Sequence, residues 1–310
     1  MAILALFASY LAATTYPFRW ITNDAQISDG VATFQQAGIL YWNGIEPWKE
    51  VFDAASGVLI SVEAQPYMAN QTGPARILTI SRDHSHANFT MGQQGTDLVV
   101  RLRRSADTPL GVPPYVIPDV FRERTPQAIE VIIRDDAISI SVNGNVKLSQ
   151  PLLESPFGYW DAEYRLALGN EFTWERPWSG EISAARLETT STKIDVLRQS
   201  GLSRPPLSEL IAAKFTWIAD DPVDLLLNFV AMIPLGILTV ICLPRSVMLF
   251  TVMWALACVG AETAQVFIYG RNPCMSDFAL NMLGIILGMQ LLVRLPKLRT
   301  IFANQSARNG

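Results

Sequence analysis

From Leu225 to Val293 the chain carries only four charged residues: Arg245, Glu262, Arg271 and Asp277. A stretch this apolar cannot supply a wetted outer surface, so it belongs in a large core or in lipid. It divides into three apolar runs, Leu225–Leu243, Ser246–Ile268 and Phe278–Val293. At a helical rise of about 1.5 Å per residue, the first two are long enough for a hydrocarbon core of about 30 Å. The third reaches about 24 Å and needs flanking residues or a thinned bilayer. The loops between the runs are short and apolar, which favours membrane helices over a soluble bundle. A further run, Met1 to Phe18, opens the chain. It lacks a basic start and a small-residue cleavage site, and it ends in the interfacial aromatic anchor Tyr16-Pro17-Phe18-Arg19-Trp20. It is expected to be a retained first transmembrane helix, the alternative being a signal peptide.

The basic residues orient these spans. Arg245 separates the second and third, and Arg294, Lys297, Arg299 and Arg308 follow the fourth. Alternating spans put both groups on one side, and the excess of Lys and Arg makes that side cytoplasmic. Both termini then lie in the cytoplasm and residues 19 to about 222 lie outside. Arg19 and Arg271 fall on the outer side, against the rule, although long translocated domains escape it. The expected organisation is a first transmembrane helix (1–18), an external β-sandwich (20–195), a linker and pre-membrane segment (196–223), a region of three transmembrane helices (224–294) and a cytoplasmic tail (295–310). The fold class is a membrane α-helical bundle of about four transmembrane helices plus an all-β jelly-roll sandwich. Membrane lipid is the first expected partner.

The external segment is charged and acidic. Between Arg19 and Arg198 it holds 16 Lys and Arg against 22 Asp and Glu. With a net charge of −4 for the whole chain, no nucleic-acid partner is expected. Three cysteines give no disulfide framework, and two histidines leave little for His-based catalysis. Short alternating or β-branched runs recur: Val58–Ala64, Arg76–Ser81, Leu98–Arg103, Ile129–Arg134, Ile138–Val142 and Arg165–Leu168. Ile138-Ser139-Ile140-Ser141-Val142 alternates cleanly, with one apolar and one hydroxyl face. Asp135-Asp136 reads as a turn between strands, and Asn143-Gly144 as a strong hairpin signal. Many short strands between turn signals indicate a sandwich.

Asn143-Gly144 after an alternating strand, then Leu168-Gly169-Asn170, then Pro177-Trp178-Ser179-Gly180-Glu181-Ile182, resembles the laminin-G or concanavalin A-like jelly roll over roughly residues 25–192. The resemblance implies glycan binding, in some members with calcium. No calcium motif maps here, because Asp135 and Asp136 fit a hairpin turn at least as well, so no cofactor and no metal is expected, with calcium in the β-sandwich as the open alternative. His84 and His86 share a strand face but read as a solvated loop. Trp42, Trp48, Trp160 and Trp174 either stack on sugars or fill the sandwich core.

Polar groups inside the apolar third are the sharper signal, since each costs about 2.5–3.5 kcal/mol on insertion scales. Asp224 and Asn228 share a face of the second span. Glu262, Gln265 and Tyr269 share one on the third. Asp277, Asn281, Gly284 and Gly288 share one on the fourth. All lie toward the outer ends, with Arg271 in the loop between them. The candidate cluster is therefore Asp224, Asn228, Glu262, Gln265, Arg271, Asp277 and Asn281, acting as a site, as a structural clasp, or both. Arg271 is taken as the cation that pairs with Glu262, Asp277 or Asp224. Gly284 and Gly288 form a step that permits close helix approach, and with it a homo-oligomer. Pro234-Leu235-Gly236 is expected to break the second span. Cys242 and Cys258 fall in spans, and Cys274 in the outer loop, where a thiol reagent should reach it.

Asp224 with Asn228 and Pro234-Leu235-Gly236, then Glu262 with Gln265, then Arg271, then Asp277 with Asn281 and Gly284, resembles the VanZ-like family over residues 205–294. Tyr16-Pro17-Phe18 is similar to the end of that family's first helix. The resemblance implies an integral membrane protein of the cell envelope. The jelly roll is an insertion in its first external loop and implies a different or extended ligand. Glycopeptide resistance, from which the family is named, is not carried over. Two function classes remain. One is a non-catalytic envelope protein whose sandwich captures a glycan or polymer. The other is a membrane enzyme acting on a lipid-linked or anionic envelope substrate, with Glu262 or Asp277 as acid or base and Arg271 holding the anion. The first is preferred, because no nucleophile–base pair, phosphate loop or metal motif supports catalysis.

Overall fold

The computed structural model describes residues 20–42, 57–83, 85–199, 201–217, 222–242, 246–268 and 271–294. The first span (1–18), the tail (295–310), Trp48, His84, Arg245 and Tyr269 lie outside the described residues, as do the side chains of Asp224 and Cys242. The chain divides into two compact units: Ile21–Ala213, and a helical unit formed by Met1–Trp20 with Lys214–Gly310.

The first unit is an all-β sandwich. Its strands are β1 (Gln26–Ser28), β2 (Val31–Phe34), β3 (Leu40–Trp42), β4 (Gly57–Pro66), β5 (Gln71–Asp83), β6 (His86–Gly95), β7 (Asp97–Leu102) and β8 (Tyr115–Ile117), followed by β9 (Gln127–Arg134), β10 (Ala137–Val142), β11 (Asn145–Pro151), β12 (Arg165–Leu168), β13 (Gly180–Glu188), β14 (Lys193–Asp195) and β15 (Leu202–Ser203). Two antiparallel sheets result. One runs β1-β2-β13-β4-β9-β10-β11 with β14 beside β13, and the other runs β15-β3-β12-β5-β6-β7-β8.

Each strand expected from alternation is present. In β9 and β10, Ile129, Val131 and Ile133 face Ile138, Ile140 and Val142 in the core, while Glu130 and Arg134 point out. Asn143 and Gly144 take φ of +51° and +76°, the left-handed pair that closes the β10–β11 hairpin in the sense of the strand twist. The closing motif Pro177–Ile182 is tied down by a buried amide network. Ser179 N–H donates to Gln71 Oε1 at 2.8 Å, and Trp178 Nε1–H donates to Gln93 Oε1 at 3.0 Å. Gln71 itself donates to Gln93 Oε1 and to the Ser179 carbonyl.

The stretch expected as linker is not featureless. Leu202 and Ser203 pair with Trp42 and Tyr41 as the edge strand β15. Helix α1 (Leu207–Lys214) follows it.

The second unit holds α2 (Pro222–Cys242), α3 (Val247–Gln265) and α4 (Met275–Arg294). The expected break at Pro234 does not occur, since α2 is one helix with Pro234 inside it. Proline's missing N–H removes one hydrogen bond without ending an apolar helix whose neighbours hold it. The glycines explain the close packing of α2 on α4. A Cβ at Gly236 would meet the Ile285 carbonyl oxygen at 2.0 Å, one at Gly284 the Phe229 carbonyl oxygen at 2.3 Å, and one at Gly288 the Ile233 carbonyl oxygen at 2.1 Å. The step expected to serve an oligomer is thus filled within the chain. Among the described residues α3 alone is long and apolar enough to cross a membrane; Leu225–Ile241 and Met275–Leu291 are shorter apolar helices.

Candidate functional site

In the helical unit, the Glu262 carboxylate near the end of α3 accepts the Cys274 N–H at 2.9 Å, directly before α4. It thereby fixes the loop from which α4 starts. Gln265 and Asn281 are buried, and Asn228, Arg271 and Asp277 are half-buried. Gln265, Arg271, Asp277 and Asn281 each make further interactions. The chain before α2 joins this loop. Thr216 N–H donates to the Pro273 carbonyl at 3.0 Å, Met275 N–H to the Thr216 carbonyl at 3.1 Å, and Ser276 N–H to the Trp217 carbonyl at 3.1 Å. Trp20 bridges to Ile268.

Lys214 is the residue that sequence reasoning missed. It is 0% exposed, and its ammonium donates to the Ile268 carbonyl at 2.8 Å. Its position, ten residues before Asp224 in a presumed linker, kept it out of the count of membrane charges, and it adds a second cation to the helical unit beside Arg271. Cys274 also differs from expectation. It is 3% exposed with Sγ 3.0 Å from the Ser276 hydroxyl, so a reagent does not meet an open thiol.

In the sandwich, the outer face of the seven-stranded sheet is polar yet buried. Cross-strand partners share a face, so the registers Tyr41–Ala167–Thr79–Thr90–Arg101 and Arg76–Gly92–Val99–Val116 lie on the side away from the core. Thr79 and Thr90 are completely buried with their hydroxyls 3.2 Å apart. Glu171, from the segment after β12, reaches this face. It accepts from Arg76 Nε at 3.1 Å, from the Ser81 hydroxyl, and from the Phe172 N–H at 3.2 Å. Both members of the ion pair are at most 1% exposed. Burial pushes the Glu171 carboxyl up and the Arg76 guanidinium down, and their mutual attraction opposes both shifts. Burial, with the like charges of Arg76 and Arg176, pushes Arg101 down to about 10. Arg165 ties down the same segment. Its guanidinium lies 4.6 Å from the Phe172 ring centre and 5.4 Å from that of Tyr41, and it bonds Glu209 at 2.8 Å.

Trp42 and Trp174 are each 3% exposed and present no open stacking platform, while Trp160 is half-buried against the core with Phe157. His86 bonds Asp83 at 2.8 Å in a hairpin loop. Asp135 accepts the Ser155 hydroxyl at 2.6 Å. Among the described residues no three His, Cys, Asp or Glu side chains gather to hold a metal. At the open edge of the sandwich a groove of about 770 Å³ runs between β8 and the β10–β11 hairpin. Asp119, Arg122, Asn143, Asn145 and Lys147 line it, over Val120 and Leu148.

These features define a β-sandwich carried in one chain with an apolar, glycine-packed helical unit. The family model described as VanZ/LLP1 matches residues 172–296, so this part of the chain is a VanZ-like domain. The match starts earlier than residue 205, taking in β13 to β15. No curated protein sequence matches the chain. Among solved structures, the sandwich is similar to the Ruminococcus gnavus IT-sialidase CBM40 bound to α2,3-sialyllactose, at 12% identity and TM-score 0.40, covering 51% of this chain and 90% of that one. Domain 4 of AbnA, a GH43 extracellular arabinanase from Geobacillus stearothermophilus in complex with arabinotriose, gives 15% identity and TM-score 0.32, covering 53% and 69%. Sheep galectin-11 in complex with glycerol gives 9% identity and TM-score 0.31, covering 43% and 91%.

Proposed function

We propose that the chain is a non-catalytic, multi-pass membrane protein of the cell envelope whose external β-sandwich binds a glycan or envelope polymer. The observation that carries the binding half is the edge groove. It offers hydrogen-bonding side chains of both charge signs over an apolar floor, on a sandwich of jelly-roll type, which suits a hydroxyl-rich chain. The surface of the helices supports the membrane half. Met248, Leu249, Val252, Leu256 and Val259 of α3 are each at least 50% exposed. In water each such side chain forgoes about 1.5–3 kcal/mol of burial, whereas lipid removes the penalty. Residues 1–18, α2, α3 and α4 make four spans, with both termini in the cytoplasm and the sandwich outside. Glu262, Arg271 and Asp277, with Asp224, Asn228, Gln265 and Asn281, act as a clasp at the outer face. The bond from Cys274 N–H to Glu262 favours that over an acid/base site.

Detergent-solubilised full-length protein should retain a subset of immobilised envelope polysaccharides, and Lys147→Glu with Arg122→Glu should abolish retention. Binding to none, in a protein whose circular dichroism shows intact sheet, refutes the reading. A cysteine introduced at Gly310 should resist an impermeant thiol reagent in whole cells. Labelling there refutes the topology.

A further inference from the structure

We propose that the outer face of the seven-stranded sheet is an oxyanion site, at which Arg101 and Arg176 hold a carboxylate, sulfate or phosphate group carried by a bound glycan. This rests on the glycan reading above, adds to it two side chains outside the lining of the edge groove, and narrows the ligand to an acidic glycan.

The charges on this face do not balance. The charged groups acting on Arg101 are Arg76, Arg176 and Glu171, so one carboxylate faces three guanidinium groups. That carboxylate is already committed, to Arg76, the Ser81 hydroxyl and the Phe172 N–H. Among the described residues neither Arg101 nor Arg176 has a side-chain hydrogen bond or ion pair within the protein. Arg101 is half-buried and its Nε is shut off from water. A partly desolvated guanidinium is favoured by an anion that meets its planar fork.

In the sandwich the orphaned groups are of one kind. Arg101 Nε, Arg103 Nε and Trp174 Nε1 are buried N–H donors without an acceptor among the described residues. Trp174 lies in the covering segment that supplies Glu171 and Arg176, and it is held at φ +63°, a strained conformation for so large a residue. Buried donors without acceptors cost about 1–3 kcal/mol each, and such exceptions in a packed domain call for a specific cause. An oxyanion supplies acceptors and negative charge together. A neutral sugar supplies acceptors alone.

The proposal also explains why Arg76 and Glu171 are paired out of water. The pair fixes onto β5 the covering segment that carries Arg176. The backbones meet as well, with Arg76 N–H donating to the Arg176 carbonyl at 2.9 Å.

The test is calorimetric titration of detergent-solubilised full-length protein with four probes: a neutral galactan oligosaccharide, the matching galacturonan, inorganic sulfate and inorganic phosphate. Arg101→Gln and Arg176→Gln are titrated beside the parent, with circular dichroism confirming the sheet. Galacturonan should bind more tightly than galactan, and each variant should weaken it by about tenfold or more, the size of a lost charge-assisted hydrogen bond. Equal binding of the two glycans, untouched by either variant, overturns the oxyanion site and leaves the glycan reading standing. Arginine-dependent binding of sulfate or phosphate with no glycan binding keeps the site and overturns the glycan reading. Binding of no probe overturns the site.

Discussion

Replacing Arg76 with methionine should destabilise the sandwich more than any change at its solvent-facing side chains. The Arg76–Glu171 pair is removed from water, at 1% and 0% exposure, and it joins β5 to the segment covering the sheet. Removing one partner leaves an uncompensated buried charge, which costs about 3–5 kcal/mol. For a unit of this size that lowers Tm by about 6–20 °C. Glu171→Leu should cost a similar amount. The double variant Arg76→Met with Glu171→Leu leaves no orphan charge, so its loss should fall well below the sum of the singles. pH gives a second handle. Without Arg76 the Glu171 pKa rises further above its unfolded value, because burial already raises it and the main opposing attraction is gone. A raised carboxyl contributes stability that is present below the unfolded pKa and lost as pH rises through the folded pKa. The deficit of Arg76→Met should therefore be larger near about pH 8 than near about pH 5. Thermal melts of the full chain in detergent, followed by near-ultraviolet circular dichroism, read all three quantities. Single variants within about 1 kcal/mol of the parent, or a double variant equal to their sum, refute the account.

Gly144→Ala should cost about 1–2 kcal/mol, because φ of +76° closes the β10–β11 hairpin; urea melts measure it, and an unchanged midpoint sinks the turn assignment. Gly288→Val should lower membrane abundance sharply, since a Cβ there meets the Ile233 carbonyl oxygen at 2.1 Å. A variant of normal abundance that merely shifts a monomer–dimer equilibrium would show instead that this face meets another copy. Tyr67 donates to Glu181 at 2.7 Å and is pushed up to about 12, so its contribution should be present below its unfolded value and fade as pH rises through that range; Tyr67→Phe should remove this alkaline sensitivity in pH-jump melts.

Local pattern carried much of the sandwich and little of its most charged face. The strand expected at Arg165–Leu168 forms with those bounds, and Asp135-Asp136 and Asn143-Gly144 make the turns between β9, β10 and β11. Period-two alternation is a local property, and so is turn chemistry. Whether an outward face meets solvent is not local. Thr79, Ser81, Asn88 and Thr90 are polar, yet each is completely buried because distant chain lies over them. Glu171 closes on Arg76 across 95 positions, and Asn88 is held by the Asp161 backbone across 73. No spacing rule links such positions. The aromatic residues stayed open between two roles for the same reason. Trp42 and Trp174 are polar enough at one end to sit at a surface, and only the fold decides that they do not.

The helical unit was more legible, because helical spacing alone grouped its polar residues, but spacing could not say what each one serves. Two functions stay open for Glu262. Its carboxylate accepts a backbone N–H at the start of α4, a bond that an uncharged acceptor at the same position also makes. Trp254 behaves alike, donating from α3 to the Thr239 hydroxyl of α2 at 3.0 Å, while Thr239 donates to the Leu235 carbonyl at 2.8 Å. Polar groups in this unit thus act across helices or within a turn, the pattern of interhelical hydrogen bonds in lipid, worth about 0.6 kcal/mol each on average. Glutamine keeps an acceptor oxygen at the same position, and alanine keeps none. If Glu262 is a clasp, Glu262→Gln should match the parent in membrane abundance and in complementation of a deletion strain, and Glu262→Ala should lose both. If Glu262 is an acid or base, Glu262→Gln should lose complementation at normal abundance, because an amide cannot exchange the proton. That outcome would overturn the clasp and restore the enzymatic alternative.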